Sequence, residues 1–264
     1  MIGLYALESN LEMGAFAEGL GLPFTYRNHN YFLPNETENF DLVVVTGLRG
    51  KGKDIRDAYN ALGVPCIVID YGYMNRVFGV DTWNTGHWQV GLNRLGWIPP
   101  FSCPDDRFNS LGVQLKKPHE GDYILVCGQH VGDPSHGLDA AGISSWATKA
   151  IAELKGDKPV LWRPHPDSPD VVAEGYDGIS SGAIEWDKVH AVRCINSNIG
   201  HEAIINGVQA ICDDAPYKDI TDRKDYFSRL AYAQWTLEEM RQGKAWEFIS
   251  NSIERLKNEA NYNL

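Results

Sequence analysis

Residues 162–166 read Trp-Arg-Pro-His-Pro and close an apolar run, placing an arginine and a proline-bracketed histidine at what should be the end of a strand. The prolines hold the backbone extended around His165, so its imidazole projects from the carboxyl edge, where open α/β sheets take ligands. Arg163 and His165 can both donate to phosphate. A rigid turn carrying a hydrogen-bonded surface histidine accounts for the same five residues. About thirty residues on, CINSNIGHEAIINGVQAIC (194–212) gives strand, polar turn, helix, glycine and strand. Ser197 or Asn198 can cap that helix, and its first-turn N–H groups, with the helix dipole, form a site for a pyrophosphate. Glu202, one turn in, can take the two hydroxyls of a ribose, and His201 can reach the phosphates. A capped helix ended by Gly207 needs no ligand to explain it.

A third stretch, VVVTGLRGKGKDIRDAY (43–59), spaces Gly47, Gly52 and Lys53 as G-x-x-x-x-G-K after an apolar run and before a helical pattern. A nucleotide-triphosphate loop needs Ser or Thr next, to hold the magnesium ion, and the next residue is Asp54, whose carboxylate would face the phosphates. Without that reading, Arg49, Lys51 and Lys53 are a basic cluster at a strand end.

Short β-branched runs alternate with helical patterns around these motifs. Strands are expected at 2–7, 23–27, 41–47 and 64–72, with helices near 12–20 and 54–62. The rhythm is βαβ, which predicts parallel strands with right-handed crossovers. Residues 73–101, rich in aromatics, glycine and proline, read as a large surface loop. Residues 111–122 have the composition of a linker. The rhythm then restarts, with strands at 122–129, 158–166, 190–197 and 208–214, helices at 139–155 and 198–208, and helical spacing from Asp225 onward. The expected domains are residues 1–115 and 116–264.

Taken together, RPHP followed by NSNIGHEAIINGVQAI resembles the donor-binding domain of glycosyltransferases of the B-type fold, especially those of capsular polysaccharide. VIDYGYMNRVFGVDTWNTG (68–86) resembles glycosyltransferase-like proteins encoded by phages. The resemblance covers roughly 122–214 well and the first half loosely. It implies an α/β architecture of two Rossmann-like domains facing across a cleft, with the nucleotide-sugar on the C-terminal domain, the acceptor on the N-terminal one, and the last helix crossing back. Carried over, Arg163 and His165 hold the diphosphate, Ser197 and Asn198 cap it, Glu202 binds the ribose, and Gln129 and His130 flank the donor. The co-substrate expected first is a UDP-sugar, with no tightly bound cofactor and no metal, because a helix N-terminus with Arg163 and His165 can stabilise the leaving diphosphate. A general base would be a strand-end carboxylate of the first domain: Asp70 first, Glu8 second. Either could instead cap a loop or pair with Arg76.

The basic cluster then faces the acceptor and favours an anionic one. Trp83, His87 and Trp88 lie in the long loop beside Asp70, and flat side chains suit an extruded base, so a hydroxymethylated pyrimidine in phage DNA is the first expectation for the acceptor. A surface polysaccharide is the alternative, as are a nucleotide-sugar epimerase and a non-catalytic nucleotide-sugar-binding protein of the same fold. A formal charge of −11 argues against wholesale nucleic-acid binding. The 264 residues suit two domains, and 43% apolar with 22% charged residues is ordinary globular composition. No apolar run approaches a bilayer span and the start lacks a basic secretion signal, so a cytoplasmic monomer with no membrane partner is expected, in the host cytoplasm if phage-encoded. Five cysteines without C-x-x-C spacing argue against a disulfide framework or zinc site.

Overall fold

The computed structural model describes residues 1–7, 9–218 and 220–259. The elements in chain order are β1 (Ile2–Ala6), α1 (Leu11–Gly19), β2 (Phe24–Asn28), β3 (Leu42–Thr46), α2 (Lys51–Ala61), β4 (Cys66–Tyr71), β5 (Trp88–Leu92), α3 (Asp106–Ser110), β6 (Tyr123–Cys127), α4 (Ala140–Leu154) and β7 (Val160–Arg163). They continue with β8 (Gly178–Ile179), β9 (Val189–Cys194), α5 (Ile199–Ile205), β10 (Gln209–Cys212), α6 (Arg223–Ala231), β11 (Gln234–Trp235), α7 (Leu237–Arg241) and α8 (Lys244–Asn258). Two compact units result: Met1–Leu111 with Lys224–Leu264, and Gly112–Arg223.

The first unit carries a sheet in the order β11-β5-β4-β3-β1-β2. Strands β2, β1, β3 and β4 run parallel. The order reverses between β1 and β3. Strand β1 is buried along its whole length, and β3 and β4 over their first four residues, which is why they read as unbroken apolar runs. Val43, Val45 and Val68 pack on Ile55 and Tyr59 of α2 and on Tyr5, Phe32 and Phe40. Within that core the Tyr5 and Tyr59 hydroxyls meet at 2.7 Å.

Two expectations fail here. The segment 73–101 is not all surface loop: WQVGL forms β5, buried at every position and antiparallel to β4. Strand β11 then pairs antiparallel with β5, so the sheet is mixed. The glycines that disguised this strand serve close approach; a Cβ on Gly91 would lie 2.9 Å from the Arg94 carbonyl oxygen.

From Lys224 onward the chain belongs with the first unit, whereas the sequence pattern assigns it to domain 116–264 with only the last helix returning. Buried Gln234 explains part of this. Its Oε1 accepts from the N–H groups of Tyr73 and Met74, both at 2.9 Å, and its Nε2 donates to the Met74 carbonyl at 3.0 Å. Arg107 donates to both Glu239 oxygens (2.6 and 3.2 Å) and to the carbonyls of Ala231 (3.1 Å) and Gln234 (2.9 Å). Its guanidinium also stands 3.7 Å from the Trp235 ring centroid. Thr236 and Glu239 form a capping box at the start of α7. Helix α1 meets α7 so closely that a Cβ on Gly19 would fall 1.9 Å from the Met240 carbonyl oxygen.

The second unit is a parallel sheet in the order β10-β9-β6-β7-β8. Val126, Val160 and Trp162 pack on Ile143, Ala147 and Ile151 of α4. Asp139 caps α4, its Oδ1 accepting from the Gly142 N–H at 2.7 Å. Because β6 leads to β7 on one side and β9 lies on the other, the order reverses between β6 and β9. Such a point is where doubly wound sheets leave a crevice at the strands' carboxyl ends.

Burial opposes the Glu239 charge, but its hydrogen bonds, the Arg107 guanidinium first, hold the carboxyl below its usual range. A depressed carboxyl contributes stability above its unfolded-state pKa and loses it as pH falls. Arg107→Ala should therefore cost about 1–3 kcal/mol at neutral pH, from a half-buried carboxylate left without its cation, with the loss shrinking below about pH 4. Denaturant melts across pH check this.

Candidate functional site

The second unit's site begins with Gln129, just past β6. Its Oε1 accepts from the N–H groups of Ile195 (2.9 Å) and Asn196 (2.8 Å), and its Nε2 donates to Asn196 Oδ1 at 2.6 Å. The residue expected to flank the donor instead joins the two loops at the order reversal. Asn196 extends the bridge, its Nδ2 donating to the Ser135 carbonyl at 3.2 Å. His130, the next residue along, stands edge-on to His165, ring centroids 5.7 Å apart. The buried His130 Nδ1 has no hydrogen-bond partner among the described residues. His165 Nδ1 accepts from the Asp167 N–H at 3.1 Å, so the neutral ring carries its proton on Nε2 as a donor. Arg163 is tethered, donating to Ser180 Oγ (3.3 Å) and the Gly182 carbonyl (2.7 Å), with further N–H groups beyond these two bonds.

The turn into α5 departs from expectation. Ser197 Oγ accepts from the Ile199 N–H at 3.3 Å, so Ser197 supplies the cap. The N–H groups of Gly200 and His201 are not free for an anion; they close onto the carbonyls of Ser197 (3.1 Å) and Asn198 (2.9 Å). A helix of seven residues tightens its first turn in this way. His201 does not reach outward: it is 3% exposed, its Nδ1 donates to Asn198 Oδ1 at 3.0 Å, and its ring meets Tyr217 edge-on at 4.6 Å. Glu202 is half-buried in the first turn. Gly207, at φ +80°, ends the helix as expected, with Gly207 N–H on Ile204 and Val208 N–H on Ala203.

In the first unit, Asp70 closes β4, and its Oδ1 accepts from the Tyr71 N–H at 2.7 Å. Its Oδ2 lies 3.6 Å from the position a Cβ on Gly47 would occupy, so the carboxylate sits against the start of the basic stretch. Glu8 lies outside the described residues. Lys51 and Lys53 prove to be helical, in α2, and each pairs with an acid of its own helix: Asp54 at 3.6 Å and Asp57 at 2.6 Å. Arg49 is exposed on the preceding turn. Gly52 serves packing, since a Cβ there would come within 2.2 Å of the Gly47 carbonyl oxygen. The spacing that mimics a phosphate loop thus builds a closed turn. Trp88 is 6% exposed in β5 with its ring 5.5 Å from that of Tyr71. His87 fixes the 72–87 loop through its backbone and an Nδ1 contact with the Asn75 carbonyl at 3.3 Å, and burial pushes its imidazole pKa down. Of the three residues expected to cradle a base, Trp83 alone is exposed.

Sequence reasoning passed over Glu12, a 7% exposed carboxylic acid in the first turn of α1. Its Oε1 accepts from Asn10 Nδ2 at 3.0 Å. Desolvation raises its pKa, and the negative charge of Asp70 adds to the rise. The available signal was an acid directly after the first strand's loop, at the start of the following helix. Among the described residues, no three His, Cys, Asp or Glu side chains converge to hold a metal ion, and no helix is long and apolar enough to cross a membrane.

Neither the known protein families nor the curated proteins contain a match to this chain. Among solved structures, it is similar to the β-Kdo 2,4-transferase of Thermosulfurimonas dismutans KpsC: TM-score 0.53, 14% identity, with 92% of this chain and 89% of that one covered. It also matches the β-Kdo 2,7-transferase of the same protein, at TM-score 0.49 and 12% identity over 93% and 99% of the two chains. The fold is therefore one that a glycosyltransferase uses.

A carboxyl with a raised pKa stabilises the fold below its unfolded-state pKa and loses that contribution as pH rises through the folded value. Glu12→Gln should accordingly melt higher than wild type near neutral pH and lose the advantage below about pH 4, where glutamate is protonated in both states. Calorimetry at a series of pH values checks it; an advantage independent of pH would contradict the buried-acid account.

Proposed function

We propose that the protein is a nucleotide-sugar-dependent glycosyltransferase whose donor binds at the carboxyl edge of the second unit. The observation that carries this is the order reversal between β6 and β9, where the Gln129–Asn196 bridge draws two loops together beside the His130–His165 pair. His165 Nε2 and the remaining guanidinium N–H groups of Arg163 are donors for the phosphates, Asn198 and Ser197 border them, and Glu202 takes the ribose. The fold shared with the 2,4-transferase supports the same class of reaction. On this reading the units are the donor and acceptor halves of a B-type glycosyltransferase.

The reaction is a displacement at the anomeric carbon. An acceptor hydroxyl attacks, its proton passes to a carboxylate, the bond to the phosphate oxygen breaks, and the electron pair leaves with the nucleotide. Asp70 is the base in this scheme. The acceptor we favour is a polysaccharide hydroxyl. Lys51 and Lys53 are matched by their own acids, and Trp88 and His87 hold the sheet and its loop, so four of the six residues that favoured a DNA base are engaged within the fold.

A thermal-shift screen with UDP, GDP, CMP and TDP compounds tests the donor site. A nucleotide at a hundred times its Kd should contribute about 2.7 kcal/mol and raise the melting temperature by several degrees. No shift with any of them removes the basis of the proposal. His165→Ala and Glu202→Ala should each weaken the active nucleotide by about tenfold or more, the worth of a charge-assisted hydrogen bond, while melting like wild type without ligand. With the donor so found, mass gain on an oligosaccharide and none on hydroxymethylated DNA is the expected result; the reverse would overturn the acceptor assignment.

A further inference from the structure

Tyr217 lies in the segment after β10, outside every motif that pointed to the site, and is 2% exposed. Its hydroxyl donates to the Ser197 carbonyl at 2.6 Å. That uses the one proton a phenol has, so the Cys194 Sγ, 3.2 Å from the same oxygen, donates its own hydrogen to Tyr217. Burial pushes the Cys194 thiol up to about 11, which keeps that hydrogen in place. The ring stands edge-on to His201, whose Nδ1 bonds Asn198 Oδ1. It also packs closely on Gly200, where a Cβ would come within 2.3 Å of Cζ and 2.4 Å of the hydroxyl oxygen. One side chain therefore reaches the last residue of β9, the carbonyl of Ser197, the bare backbone of Gly200 and, through His201, the side chain of Asn198.

Contacts to Ser197, Gly200 and His201 restrain the turn and its helix, and the contact to Cys194 ties them to the strand that leads in. A carbonyl at a helix start needs one partner, and Ser197 already accepts from the Gly200 N–H at 3.1 Å. The phenol adds a second, stronger bond that fixes the plane of the 197–198 peptide. That plane sets where the Ser197 and Asn198 side chains point. Gln129 restrains the same turn at Ile195 and Asn196, so the two buried side chains hold consecutive residues.

We propose that Tyr217 is a positioning residue for the donor site: its hydroxyl, acting through the Ser197 carbonyl, holds the turn in the geometry that binds the nucleotide phosphates. The proposal rests on the donor-site reading above. Preorganised polar groups bind a ligand without first being ordered, and loss of one such restraint appears in affinity.

Tyr217→Phe removes the hydroxyl and keeps the ring on Gly200 and His201. Nucleotide Kd, unliganded melting temperature and amide hydrogen exchange are measured for it and for Tyr59→Phe, which removes a buried hydroxyl from the first unit and serves as the control for stability alone. The expected result is a Kd about tenfold weaker for Tyr217→Phe and unchanged for Tyr59→Phe. Exchange should be faster only across residues 195–201. Gly200→Ala, which displaces the ring but keeps the hydroxyl, should reproduce that pattern. Unchanged affinity with unchanged exchange overturns the proposal, as does an affinity loss that Tyr59→Phe matches. Should the wild-type protein bind none of the four nucleotides, the donor reading fails on its own, and exchange still decides the hold: unaltered exchange at 195–201 in Tyr217→Phe refutes it.

Discussion

The arrangement of the second unit turns on one buried carboxamide. Gln129 accepts two backbone N–H groups with its oxygen and donates through its nitrogen, so the loops after β6 and β9 share a side chain at the point where strand order reverses. Those two N–H groups follow directly on the end of β9. Leaving each unmet would cost about 1–3 kcal/mol. Part of the chemistry at this edge is one or two residues from the bridge: His130 follows Gln129, and Ser197 and Asn198 follow Asn196, while Arg163 and His165 come from the end of β7. A site built so close to its own support has little freedom to rearrange.

The two units distribute chemistry unevenly. At the first unit's carboxyl edge stand Asp70 and, close enough to feel its charge, buried Glu12. The cations of that unit are largely matched: Lys51 and Lys53 by helix neighbours, Arg107 by Glu239. At the second unit's edge stand His130, His165 and Arg163. On the proposed reading, the carboxylates of the first unit would serve the acceptor and the donors of the second the leaving phosphate.

The elements whose residues repeat a single period were legible in the sequence. The unbroken apolar runs of β3 and β4 and the Asn206-Gly207 ending of α5 each carry their own signal. Strand β5 was not, because Gly91 within it and Gly86 and Pro99 near it are loop-formers by composition, whereas Gly86 and Gly91 serve close backbone approach. The return of Lys224 onward to the first unit was illegible as well. It depends on Gln234 and Arg107, each satisfied by residues more than a hundred positions away, and no local pattern encodes such partners. At the site, residue types were legible and orientation was not. NSNIGHE announces a polar turn and helix, but whether its N–H groups face a ligand depends on the first turn closing tightly, and whether His201 faces out depends on Tyr217, sixteen residues downstream. The basic stretch failed for a related reason: its lysines come four residues before or three before an aspartate on a helix, so that charge density in the sequence becomes paired charge on the surface.

On the proposed donor reading, this acidic chain faces a long-range penalty, because a formal charge of −11 repels anions before any contact forms. Screening limits that repulsion to about 8 Å at physiological salt, so short-range donors decide. The His165 ring, which accepts the Asp167 amide at Nδ1, presents an Nε2–H as such a donor with a defined direction. The Arg163 guanidinium, held by Ser180 and Gly182, adds a single fixed charge. This combination suits one compact phosphate group presented at a defined angle and suits an extended polyanion poorly, since the latter needs many cations along a surface. On that reading, the charge balance of the whole chain and the geometry of one edge fit the same proposed ligand, a small nucleotide over a nucleic acid.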